Sequence, residues 1–156
     1  MRSGIGYDVH RFGAGRKLVL GGVEIEGETG LVGHSDADVV AHAVMDALLG
    51  AAGRGDIGDH FPDVDAAFEG ADSIELLGRV ARELGGWRVA NVDVTVIAER
   101  PRIAPHKREM TERMAAALGV DAGCVNVKAT TNEGMGFVGR GEGIAALAVA
   151  QIERSA

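Results

Sequence analysis

HSDADVVAHAVMDALLGAAG, residues 34–53, is the stretch that decides the fold. Val40, Val44, Ala47, Leu48 and Ala51 recur at helical spacing, which predicts a helix from Asp36 to Ala51 with one apolar stripe. Ser35 or Asp36 is placed to cap its start, and Gly53 lies just past its end. Ser35, Asp38, His42 and Asp46 fall on a second stripe, about 80° wide at about 100° per residue, opposite the apolar one. Upstream, Ser3 to His10 reads as a strand. Lys17 to Leu20 and Val23 to Glu26 flank Gly21-Gly22, a hairpin signal. Downstream, a Gly/Asp-rich loop (53–70) leads to a second amphipathic helix carrying Ile74, Leu77, Val80 and Leu84. Asp72 and Glu75 lie at its start, and Gly85-Gly86 stop it. Val92, Val94 and Val96 alternate with polar residues as a strand. Pro105 can open a helix with Met110, Met114 and Leu118 on one face. Val125, Val127 and Ala129 form another strand, a glycine-rich loop covers 134–143, and the alanine-rich segment 144–152 is open between helix and strand. This order of elements is that of a single-domain α/β sandwich (residues 1–156), with helices packed against a mixed sheet.

Composition narrows the function. The chain has 156 residues, 46% of them hydrophobic and 25% charged, as in a globular domain. No apolar run approaches the ~20 residues needed to span a bilayer. The first residues lack the basic-then-apolar pattern of a secretory signal, so a cytoplasmic location is expected. The single cysteine, Cys124, excludes an intrachain disulfide and reads as core rather than nucleophile. Sixteen Lys+Arg against 23 Asp+Glu give a net charge of −7, and aromatics are 4%. Both argue against a nucleic-acid binder.

Several polar groupings can carry chemistry. Asp8 and His10 flank Val9 at a strand end, and residues i and i+2 share a face. Alone, such a pair is more often a solvated strand end than a metal site. His42 shifts the balance, because Ala41 and Ala43 leave room around it and Asp46, one turn on, is placed to hold its second ring nitrogen. Two histidines and one aspartate with an open fourth position suit a catalytic zinc. Asp56-Ile57-Gly58 and Phe61-Pro62-Asp63 read equally as turn chemistry and as carboxylates reaching ligand hydroxyls beside an aromatic wall. His60 and Asp65 read as solvated, and His106 as a surface residue at a helix start. Thr130, Thr131, Asn132 and Glu133 follow a strand and can offer hydroxyls to phosphate and a carboxylate to Mg²⁺ or Mn²⁺. The glycine-rich loop lacks the ending of a P-loop. Its Arg140 can reach a phosphate or a neighbouring subunit.

Taken together, GYDVHRFG (6–13), GHSDADVVAHA (33–43), ALLGAAGRGDIGDHFPD (47–63), NVDVTVIAERP (91–101), VNVKATTNEGMGF (125–137) and GRGEGIA (139–145) resemble the 2-C-methyl-D-erythritol 2,4-cyclodiphosphate synthase family. The resemblance implies a four-stranded sheet with helices on one side, hence a strand for 144–152. It also implies a homotrimer with active sites between subunits. It implies zinc on Asp8, His10 and His42, and a second cation, Mg²⁺ or Mn²⁺, at Glu133 with the substrate diphosphate. His34 and Ser35 match the segment on the substrate phosphates, and Thr131 the threonine near the reacting groups, which makes His34 and Thr131 the catalytic pair. Asp56, Ile57, Gly58, Phe61, Pro62 and Asp63 match the methylerythritol loop. Ala98, Pro101, Arg102, Ile103 and Ala104 match the cytosine pocket. Phe137 and Arg140 match a segment near the three-fold axis, where an isoprenoid diphosphate is a possible ligand. Asn132 stands where a third threonine is expected, Glu69 where lysine is, and His60 where an apolar residue is.

The implied reaction is cyclisation of a nucleotide diphosphate with loss of CMP, needing no covalent nucleophile. Charge neutralisation by metal, helped by His34, Ser35 and the helix N-terminus, carries the chemistry. The alternative reading is a non-catalytic trimeric module that binds a nucleotide or isoprenoid diphosphate.

Overall fold

The computed structural model describes residues 1–62 and 64–155. In chain order it runs β1 (Arg2–Arg11), β2 (Leu18–Leu20), β3 (Val23–Ile25), α1 (Val39–Ala52), α2 (Ile57–His60), α3 (Ser73–Arg82), β4 (Trp87–Ile97), α4 (Lys107–Leu118), β5 (Val125–Thr130), α5 (Gly136–Gly139) and β6 (Gly143–Arg154). β1, β6, β4 and β5 form one sheet in that order. β6 is antiparallel to both β1 and β4, and β4 is parallel to β5. β2 and β3 form the expected hairpin. The mixed four-stranded sheet with a separate hairpin is therefore as the resemblance implied.

The alanine-rich segment 144–152 lies in β6, one of the two inner strands. Ile144, Ala146, Ala148, Ala150 and Ile152 are fully buried, while Leu147 and Val149 between them are exposed. That is period-two burial, with small side chains on the inner face because α1 lies close to it. The same demand explains β1. A Cβ on Gly4 would come within 2.1 Å of the Ala47 carbonyl oxygen, and one on Gly6 within 1.9 Å of the Ala43 oxygen. Glycine at these positions lets α1 rest almost directly on the strand.

α1 is more deeply buried than one apolar stripe predicts. Val39, Val40, Ala41, Ala43, Val44, Met45, Ala47, Leu48, Leu49 and Ala51 are all buried. The polar stripe is thus a seam between packed elements, not a solvated face. Asp38, fully buried, is the N-cap in place of Ser35 or Asp36. It accepts from Val40 and Ala41 N–H at 3.1 Å each and from Gly21 and Gly22 N–H at 2.8 and 2.7 Å. One carboxylate so joins the hairpin turn to the start of the helix. Met110, Met114 and Leu118 on α4, and Leu77 and Val80 on α3, fill the core as expected.

Among the described residues, no helix covers the opposite face of the sheet. Ile5, Tyr7, Val9, Leu147 and Val149 stand exposed on it. No helix among the described residues is long and apolar enough to cross a membrane.

Candidate metal centre and cleft

Even-numbered residues of β1 face α1, so Asp8 and His10 continue the row begun by Gly4 and Gly6. His42, on the polar seam of α1, meets them. Asp8 Oδ2 lies 3.0 Å from His10 Nε2 and 3.0 Å from His42 Nδ1, and the two nitrogens are 3.2 Å apart. Among the described residues this is the one group of three acidic, histidine or cysteine side chains close enough to share an ion. Donor atoms around a tetrahedral zinc with bonds of about 2.0–2.1 Å stand about 3.3 Å apart. The three atoms nearly match one face of that tetrahedron. His10 Nδ1–H donates to the Val32 carbonyl at 2.7 Å, which leaves Nε2 with its lone pair toward the other two. A carboxylate and a bare imidazole nitrogen in contact fit a cation.

The electrostatics agree. Burial alone would raise the Asp8 carboxyl, but the hydrogen bonds and charges of His10 and His42 outweigh it and hold Asp8 well below the usual carboxylate range. Burial would lower His10, and the Asp8 bond and charge outweigh it and raise it.

A cavity of about 300 Å³ opens beside the cluster. His34, Ser35, Ile57, Gly58 and Phe61 line it with the three ligand candidates. His34 Nε2–H donates to the Asp65 carbonyl at 2.9 Å, tying loop to loop. Asp46 does not hold the His42 ring. Its Oδ1 accepts Ile57 N–H at 2.9 Å, and Ser35 and Ser73 hydroxyls, each 3.0 Å away, meet His42 Nε2 instead. The start of α1 offers no free anion site at Val40 and Ala41, whose N–H groups Asp38 already takes.

The long loop is partly ordered into secondary structure. Asp56 caps α2 in a reciprocal box with Asp59, so its carboxylate serves the turn. Phe61 is buried against Phe68, ring centroids 5.3 Å apart, and walls the cavity. Pro62 is half-buried. Asp63 lies outside the described residues. His60 is half-buried, and its Nε2–H donates to the Arg54 carbonyl at 2.9 Å. Cys124 is likewise only half-buried, at the edge of the core rather than in it.

A second cleft, of about 250 Å³, lies at the far edge of the sheet. Ala98, Pro101, Arg102, Ile103, Ala104, Thr130 and Thr131 all line it, together with Glu99. Thr131 Oγ1 accepts Glu133 N–H at 3.1 Å. Asn132 donates its side-chain amide to Met135 O at 3.2 Å and its backbone N–H to Glu99 at 2.8 Å. Glu133 is exposed and stands outside the three-residue cluster. Phe137 and Val9 line a third hollow of about 510 Å³. Arg140 pairs with Glu142 at 2.6 Å.

The sequence model of the YgbB family matches residues 1–153. The chain belongs to the YgbB family. Members similar to it include the 2-C-methyl-D-erythritol 2,4-cyclodiphosphate synthase of Thiobacillus denitrificans, 62% identical over 99% of this chain and 98% of that one. The bifunctional enzyme IspD/IspF of Anaeromyxobacter dehalogenans is 60% identical over 99% of this chain, which spans only 40% of the relative's length. Among solved structures, a 2C-methyl-D-erythritol-2,4-cyclodiphosphate synthase in its CDP-bound form superposes with a TM-score of 0.87 at 32% identity. That match covers 97% of this chain and 100% of the other. Within this YgbB chain, Ser73 is the residue that pattern reading missed: it is fully buried behind the metal centre and does not line the cleft. Its place in the capping sequence DSIE hid a hydroxyl that meets His42.

Proposed function

We propose that the chain converts 4-diphosphocytidyl-2-C-methyl-D-erythritol 2-phosphate into 2-C-methyl-D-erythritol 2,4-cyclodiphosphate and CMP, a step of non-mevalonate isoprenoid biosynthesis. An oxygen of the 2-phosphate bonds to the β-phosphorus. The bond from that phosphorus to the oxygen bridging to the α-phosphate breaks, and CMP departs with the electron pair. The observation that carries this reading is the Asp8/His10/His42 triangle on the wall of the cleft, in a chain about 60% identical to named synthases.

Asp8, His10 and His42 would hold a divalent ion, zinc by its donor set, which would supply charge neutralisation at the phosphoryl oxygens. A harder cation, Mg²⁺ or Mn²⁺, fits the carboxylate of Glu133 with the diphosphate. The protein's own groups orient the substrate. Ser35 Oγ accepts Ala37 N–H at 3.3 Å and faces His42, so its own proton is available to a phosphate in the cleft. Thr131, steadied by Glu133 N–H, presents its hydroxyl at the second cleft, where it can donate to an oxygen that gains charge in the transition state. His34 lines the first cleft beside Ser35. Folding the substrate back on itself makes the reaction intramolecular, which favours it by up to ~7–11 kcal/mol.

The working unit is a homotrimer. The two clefts sit at the same end of the sheet but on opposite edges, three strand spacings or about 14 Å apart. In the proposed trimer the helix-free face packs toward neighbouring copies, which buries its exposed apolar residues, and the β5 edge of one copy meets the β1 edge of the next. The hollow beside Phe137 and Val9 would then face the three-fold axis, with room for an isoprenoid chain; Arg11 and Glu142 line it, whereas Arg140, the cation expected there, does not line it and pairs with Glu142. The non-catalytic alternative is not favoured, since relatives matched over nearly their whole length carry synthase names.

A CMP-release assay followed by ³¹P NMR tests the reaction with Zn²⁺ and Mg²⁺ and again with EDTA. Equal amounts of CMP and cyclic diphosphate, lost on chelation, are expected. Substrate binding without CMP release would overturn the assignment.

A further inference from the structure

We propose that Ser73 and Asp36 are positioning residues that fix the orientation and tautomer of His42, so that its Nδ1 lone pair points at Asp8 and His10. The inference rests on the metal-centre reading above and adds what holds the centre from behind.

His42 has two possible proton placements. With the proton on Nδ1, the ring donates to Asp8 and cannot ligate. With the proton on Nε2, Nδ1 is free for an ion. The groups around Nε2 decide between them. Ser73 Oγ and Ser35 Oγ both lie 3.0 Å from it, and each hydroxyl can donate or accept. Left alone, they would tolerate either tautomer. Ser73 is not left alone. Its hydroxyl makes a short hydrogen bond to Asp36 Oδ1, and its backbone N–H donates to Asp36 Oδ2 at 3.0 Å. An ionised carboxylate only accepts, so the Ser73 proton goes to Asp36. A Ser73 lone pair then faces His42, and Nε2 must carry the proton. Ser73 is fully buried, so no water competes for that lone pair.

The surrounding backbone holds this chain of bonds in register. Asp38 N–H donates to Asp36 Oδ1 at 3.1 Å, Asp36 N–H to Ala71 O at 3.1 Å, and Gly70 N–H to His34 O at 2.8 Å. The segment before α1 and the start of α3 are thereby clamped together, with Asp36 between them. The arrangement spans 37 residues of sequence, from 36 to 73. It is a carboxylate–hydroxyl–imidazole series in the place where a ligating histidine commonly meets a carboxylate directly.

The test measures zinc affinity of the full chain by competition with a chelating dye, in the native protein and in Ser73→Ala, Asp36→Ala and Ser73→Thr. A ¹H–¹⁵N spectrum of the zinc-loaded, ¹⁵N-histidine protein follows the His42 Nε2–H. Ser73→Ala and Asp36→Ala should each weaken zinc about 10- to 100-fold. They should also turn the slowly exchanging Nε2–H signal into a rapidly exchanging one, with melting temperatures showing that the fold persists. Ser73→Thr, which keeps the hydroxyl, should restore both readouts. Native affinity and a native Nε2–H signal in a folded Ser73→Ala would overturn the inference and leave the metal centre standing. Should Ser73→Ala fail to fold, native readouts in Asp36→Ala would overturn it equally. A native chain that binds no zinc, with His42→Ala indistinguishable from it, would remove the metal centre itself and this inference with it.

Discussion

At the β1 edge, Asp8, His10 and His42 are half-buried and already in contact, each held by the core: two by the pleat of a strand, one by a helix seated on glycines. At the β5 edge, Thr131 and Glu133 are exposed and bonded chiefly to their own turn. The first cluster is assembled within one chain, while the second is a set of donors facing open space. The contrast teaches which half of the chemistry the fold itself organises. Charge placement is built into the core, and substrate orientation is left to exposed loops, which the proposed trimer would complete with a neighbouring copy.

Breaking the assembled half should have the largest effect. His42→Ala removes a ligand from a preformed triangle, and turnover should fall at least about 10³-fold, or about 4 kcal/mol of transition-state stabilisation. Zinc content should fall with it while the far-UV circular dichroism stays native. Metal-free protein with full activity would refute the contrast. Thr131→Ala removes a donor from the open half. It should lower kcat by about 10²-fold with KM little changed, as steady-state CMP release will show. A change in KM alone would make Thr131 a binding group.

The next effect is on stability. Asp38→Ala strips a buried acceptor from Gly21, Gly22, Val40 and Ala41 N–H groups. Chemical denaturation should register a loss of about 3 kcal/mol, since each unsatisfied buried group costs ~1–3 kcal/mol and the losses overlap. A loss under about 1 kcal/mol would mean that water replaces the carboxylate. The smallest effect belongs to Asn132→Thr. The Asn132 amide is spent on Met135 O, not on the cleft, so kcat/KM should move less than about threefold.

The sequence is legible where interactions are local. Period-two segments, the hairpin at Gly21-Gly22, the positions of the helices and the i, i+2 pair Asp8 and His10 all appear in the fold, although α1 starts at Val39 and is buried beyond one stripe. Segment 144–152 was ambiguous because alanine suits a helix by propensity and a close-packed strand by size, and only the nearness of α1 decides. β4 begins at Trp87, earlier than its valine alternation shows, because an irregularity between Val89 and Asn91 shifts the pattern. Asp38 and Asp46 were misread for one reason. Each spends its carboxylate on a backbone N–H distant in sequence, Gly21 and Gly22 for one and Ile57 for the other, which helix-wheel geometry cannot see. Ser73 was invisible on the same grounds.

Co-expression of His42→Ala with Thr131→Ala tests most directly whether the two halves meet across a subunit boundary. Each variant alone should be nearly inactive. In randomly mixed trimers about one site in four pairs an intact β1 edge with an intact β5 edge from the next copy, so CMP release should return to about a quarter of the native rate. Mixed trimers no more active than the parents would contradict a shared site and place both halves of the chemistry within a single chain.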